Sequence, residues 1–167
     1  MSVNERLLDN SYAVMGTLGL QLGTTNLTIL KGKLPKVERS LEGLSLPLLY
    51  VACARMPGKY TRWDTGTDGV TPRNANDYLI ECIAFAAGNR DPITGLDDYL
   101  DWRQVVARAL GGGPWQVGYI GDNCQVYEVE THPDPPIDRS EWMNNYDVTG
   151  LHFRFTCIEP AFGNQGG

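Results

Sequence analysis

Histidine is scarce in this chain, and cysteine motifs are missing. Only two histidines, His132 and His152, occur in 167 residues, which leaves few candidates for a neutral-pH acid–base group. The four cysteines, Cys53, Cys82, Cys124 and Cys157, lie far apart with no C-x-x-C pair. That spacing disfavours a zinc site. Cys53, Cys82 and Cys157 fall in apolar runs, where a free thiol packs as a small hydrophobe. The N-terminal "MSVNERLLDN" mixes acid and base and has no apolar centre, so the expected setting is a reducing cytoplasm rather than a disulfide framework. No apolar run approaches the length of a membrane span. Neither G-x-S-x-G nor H-E-x-x-H is present. The glycines of "LGGGPW" (110–115) follow a helical pattern instead of opening one, so they do not make a phosphate cradle. Excess positive charge is missing too. A formal charge of −6 argues against a general nucleic-acid binder, which needs a basic field.

What is present reads as one soluble globular domain over 1–167, with a flexible tail from about 160 to 167. Hydrophobic residues make up 42% of the chain, enough for a core of its own. The charge is unevenly distributed. Residues 31–62 hold seven Lys or Arg against Glu38 and Glu42, and residues 81–147 hold twelve Asp or Glu against four Arg. Opposite-signed regions suit head-to-tail self-association, although solvated scatter gives the same count.

The patterning predicts two helices and five or six strands. Ser2 and Glu5 fit a capping box, and Leu7, Val14 and Leu18 recur near helical spacing, so a first helix is expected over about 3–20. "LKGKLPKVERSLEGLSLP" (30–47) is basic, breaker-rich and expected to be irregular. "LLYVACARM" (48–56) is continuously apolar, which predicts a strand buried on both faces. A strand at 59–66, a polar loop at 67–77 and a strand at 78–88 follow, with Glu81 on the face of Leu79, Ile83 and Phe85. A second amphipathic helix, about 97–110, is capped by Asp97 and carries Tyr99, Trp102, Val106 and Ala109 on one stripe. "WQVGYI" and "CQVYEVETH" read as strands, 133–146 as a proline-rich connector, and 147–159 as the last strand. The fold class is therefore α+β, a mostly antiparallel sheet packed against the two helices.

Chemistry is thinly represented. His152 and Cys157 differ in strand parity, so they leave opposite faces and do not form a nucleophile–base pair. Leu151, Phe153, Phe155 and Cys157 belong to a dry face, and His152, Arg154 and Thr156 to a wet one left free to meet a neighbour. His132, with Glu130 and Asp134 nearby, could bind a metal as a carboxylate–histidine cluster, but one histidine is a thin ligand set and the segment reads first as an exposed polar loop. Asp97, Asp98 and Asp101 read as charges complementing a helix N-terminus. No catalytic residue, cofactor or metal is expected. Trp102 reads as core; Trp63, Trp115 and Trp142 sit beside loops and prolines, where an aromatic is a local plug or an interface anchor.

The order of elements, and above all "HPDPPIDRSEWMNNYDVTGLHFRFTCIEP" near the C-terminus, resembles the tail terminator (tail-completion) proteins of long-tailed double-stranded DNA bacteriophages. The shared features are an N-terminal helix, a basic irregular segment ending "LSLPLLYVACAR", long-looped strands, an amphipathic helix and a final alternating strand closing on "EP". The resemblance implies an α+β fold without cofactor or catalytic residue. It also implies a ring, usually of six subunits, that caps the tail tube, ends its growth and meets the neck of the filled head. The implied partners are further copies of the chain, the tail tube protein, a neck or head-completion protein, and passing genomic DNA held without sequence-specific contacts. The implied place is the virion tail or neck, after assembly in the host cytoplasm. No family motif assigns a functional residue by number. Arg62, Trp63, Arg73, Arg90, Trp142, His152 and Arg154 are the candidate interface residues, and the loops at 66–77 and 88–96 the candidate contact segments. The alternatives are another neck component (a head-completion or head–tail adaptor protein), a small cytoplasmic hydrolase using Glu81, Glu128 or His132, and a monomeric binding module.

Overall fold

The computed structural model describes residues 3–33, 41–55, 62–64, 73–87, 96–111, 125–133 and 146–160. Helix α1 (Val3–Gly16) opens this part of the chain. It is followed by a small hairpin, β1 (Gln21–Leu22) with β2 (Thr25–Asn26), and by the short strand β3 (Thr28–Lys31). Next come β4 (Leu48–Arg55), β5 (Arg62–Asp64) and the long β6 (Arg73–Ala87). Helix α2 (Leu96–Gly111), β7 (Gln125–Pro133) and β8 (Tyr146–Pro160) complete it. The main sheet runs β3-β4-β6-β8-β7, with β5 added to the start of β6. Every pairing in it is antiparallel except β3 with β4. The architecture is α+β, as the sequence pattern predicts.

Alternation along the strands gives the sheet two faces. The inner face carries Leu49, Val51, Tyr78, Ile80, Cys82, Leu151, Phe153, Phe155 and Cys157, which cluster with Leu7 and Met15 of α1 and Trp102, Val106 and Leu110 of α2. Arg103 of α2 is also buried there and donates to the Thr149 hydroxyl at 3.1 Å. On the outer face, Leu48 and Phe85 close a second cluster with Leu41, flanked by Leu46, Tyr50, Ile83, Tyr146 and Val148. The expectation that β4 is covered on both sides holds over Leu48–Ala52, where Leu48 faces Leu41, Leu49 and Val51 face the helices and Tyr50 is half-buried; the side chains beyond Ala52 lie outside the description.

Several boundaries differ from the sequence reading. The first helix stops at Gly16 rather than near 20, as Thr17 and Leu18 turn back to bond the Val14 and Met15 carbonyls. Its fully buried stripe is Leu7, Ser11 and Met15, with Val14 and Leu18 only partly covered. Within the segment expected to be irregular, Leu30 and Lys31 belong to β3. This strand is held by β4 on one side and by α1 on the other, where Tyr12 Oη donates to the Ile29 carbonyl (3.4 Å) and Lys31 Nζ meets Asp9 Oδ1 (2.5 Å). Residues 73–77, expected in a polar loop, are the first five of β6. They are drawn into the sheet by β5 on one edge and by β8 on the other. Likewise Asp97 lies inside α2, which begins at Leu96, instead of capping it.

Several expected features lie outside the described residues. These are the strand at 115–120, residues 134–145 of the proline-rich connector and the tail beyond Pro160; of the basic segment 31–62, residues 34–40 and 56–61 lie outside as well.

Candidate functional site

The polar groups of the outer face gather at the β7 side of the sheet. Register places Glu81 of β6 opposite His152 of β8, and His152 opposite His132 of β7. These three residues form one row across three strands. In the next row Leu79, Arg154 and Glu130 are partners, and in the one after that Asp77, Thr156 and Glu128. A bulge between Val126 and Glu128 sets this alignment. It shifts every β7 residue from Glu128 onward by one position against β8.

The side chains in these rows are engaged with one another. Arg154 forms a salt bridge with Glu130. His132 Nε2 lies 3.3 Å from Glu130 Oε2, and His152 Nε2 lies 3.6 Å from Glu81 Oε1. Thr156 donates its hydroxyl to Asp77 at 2.7 Å and is almost fully buried. The wet face of the last strand is therefore not left free. Its histidine and arginine are half-buried, and its threonine is closed off by the β6 carboxylate. The strand's dry face matches expectation, with Leu151, Phe153, Phe155 and Cys157 all buried.

The other nominated residues distribute as follows. Arg62 and Trp63 lie on β5 and Arg73 at the start of β6, the two strands being paired there. There Arg62 pairs in register with Ala75, Trp63 with Asn74, and Asp64 with Arg73. Arg90 and Trp142 lie outside the described residues, as do 66–72 and 88–95 of the two contact loops; 73–77 and 96 belong to β6 and α2. Trp115 is also outside, and Trp102 is core, 1% exposed. Glu81 keeps the predicted company of Leu79, Ile83 and Phe85, but its polar neighbour is His152, which parity within one strand could not supply.

Cys82 and Cys157 are free, buried thiols. Burial, and secondly the charge of Glu81, push the Cys82 thiol far above its ordinary range, so it stays protonated and unreactive. A shallow pocket lies between the turn after α1 and the flank of α2, lined by Leu18, Gln21, Asp101, Trp102 and Val105. Among the described residues no helix is long and apolar enough to cross a membrane.

No family model matches this chain, and no curated protein matches it either. The class defined by the structure is an α+β fold in which the two described helices pack on one face of the sheet, while the other face carries the apolar cluster around Phe85 and, at the β7 side, the polar rows.

Proposed function

We propose that this protein is a structural component of a tailed phage particle: a tail terminator that assembles as a ring, expected to be hexameric, on the end of the tail tube. It halts tube growth and joins the tail to the neck, without catalysis or a cofactor. The observation that carries this reading is the segment 146–160, which holds the most detailed part of the resemblance. It forms a 15-residue strand bonded along its whole length to β6. Its dry row seals the core under both helices. The α+β layout and the order of helix, strands, helix and closing strand are those the resemblance implies. A net charge of −6 suits a passage that DNA must leave without being gripped.

The test is light scattering and electron microscopy of the full chain, alone and mixed with the cognate tail tube protein that this reading requires. Rings bound to tube ends, with tube length fixed by their presence, are expected. A chain that stays monomeric and unbound with tube protein present overturns the reading. Binding to a head connector but not to the tube moves the assignment to a head-completion or adaptor protein.

A further inference from the structure

The chain's only two histidines share one register position on neighbouring antiparallel strands, His132 on β7 and His152 on β8. Side chains so placed leave the same face of the sheet, with Cβ atoms about 4.5–5.5 Å apart. Two imidazoles at that separation can turn onto one ion at the roughly 2.0–2.1 Å that zinc–nitrogen bonds require. Glu130 Oε2 stands 3.3 Å from His132 Nε2, and Glu81 Oε1 stands 3.6 Å from His152 Nε2. A carboxylate only accepts, so Glu130 holds a proton on Nε2 of His132 and leaves the Nδ1 lone pair of a neutral ring to ligate. A carboxylate behind the ring is the usual outer support of a metal-binding histidine. Arg154 offsets one of the two carboxylates through its salt bridge with Glu130. The row therefore keeps a net negative charge that favours a cation. His132 is 60% exposed at its side chain, which opens the site to solvent.

We propose that His132 and His152 form a two-imidazole site for a divalent transition ion of the zinc class, with water completing the coordination and Glu130 and Glu81 behind the rings. Among the described residues no three His, Cys, Asp or Glu side chains are gathered to enclose a metal. The site is accordingly open, and weaker than a closed four-ligand structural site. Nitrogen ligands exclude Mg2+ and Ca2+, which take oxygen. Bound there, the ion ties β7 to β8, the strand with which β7 pairs among the described residues. The inference rests on strand register and is independent of the ring.

The experiment is calorimetric titration of Zn2+ into the tag-free full chain, with urea unfolding at each Zn2+ level. One-to-one saturable binding is expected, and Zn2+ at about tenfold its Kd should raise the folding equilibrium constant about tenfold. His132→Ala should abolish both effects while keeping the native circular dichroism spectrum, because His132 is exposed. His152→Gln should do the same, and Mg2+ should do nothing. The proposal is overturned by absence of saturable binding, or by His132→Ala binding Zn2+ as tightly as the parent, which would mean an adventitious ion only. If His152→Gln does not fold, His132→Ala alone decides.

Discussion

Arg154 on β8 and Glu130 on β7 are register partners whose side chains close a salt bridge on the outer face of the sheet. The pair is asymmetric: Arg154 is the more buried partner, and its Nε has no hydrogen-bond partner. Removing Glu130 strands a half-buried guanidinium, whereas replacing Arg154 with Met keeps the aliphatic stem and removes the orphaned donor. Glu130→Ala should therefore cost about 1 kcal/mol in urea unfolding, and Arg154→Met less than roughly half of that. Equal costs for the two variants would refute this asymmetry.

Ser11 is fully buried in α1, and its hydroxyl has no hydrogen-bond partner. Ser11→Ala relieves the desolvated hydroxyl and places the best helix former at the site. Stability should rise by about 1 kcal/mol. A fall in the thermal midpoint would show that the hydroxyl is engaged.

Legibility in the sequence followed interaction range. Parity alone placed Leu151, Phe153, Phe155 and Cys157 on the dry face, and helical spacing placed Trp102 and Val106 in the core, because both patterns repeat over adjacent residues. Residues 73–77 ("RNAND") carry no strand signal of their own. Their conformation is imposed by partners ten residues upstream and some eighty downstream. The same holds for the row Glu81–His152–His132. Its alignment depends on three separate strands and on a bulge at Val126/Glu128, which no local pattern announces. Ser11 breaks the apolar stripe of α1, so the periodic reading passed over it in favour of Val14.

Gly111 ends α2 against the sheet. A Cβ added there would meet Thr131 Oγ1 at 2.5 Å and Phe153 Cε1 at 3.6 Å. Gly111→Ala should cost about 1 kcal/mol or more through this overlap. Thr131→Ala removes the obstructing oxygen, so the double variant should recover that loss and gain a few tenths more from helix propensity. Additive losses in the double-mutant cycle would show that the close approach is not the cause.

Phe153, Phe155 and Cys157 alternate with His152, Arg154 and Thr156 along β8, which is paired on both sides. One residue inserted after Phe153 would turn Phe155 and Cys157 to the outer face and Thr156 inward. The loss should exceed that of Phe155→Ala, itself about 3–5 kcal/mol. Against a typical total of roughly 5–15 kcal/mol, the inserted chain should be largely unfolded at room temperature. A cooperative melt within a few degrees of the parent would sink this.

Cys82 lies at the centre of the inner core, its Sγ 4.0 Å from the Met15 sulfur. Its thiol titrates well above its ordinary range in the folded chain, chiefly because burial penalises the thiolate. In the unfolded chain it ionises near about 8.5. Below that pH both states hold the proton, and Cys82 adds no pH dependence. Above it the unfolded state releases a proton that the folded state keeps, so stability falls as pH rises, by up to about 1.4 kcal/mol per unit. Cys82→Val should lack this part of the alkaline loss. The difference between the two unfolding curves should therefore be flat to about pH 8 and slope beyond it. In the same window the native thiol should resist alkylation until the protein unfolds. Parallel curves for parent and variant up to pH 10, or rapid labelling of native Cys82, would show that the thiol is not shielded.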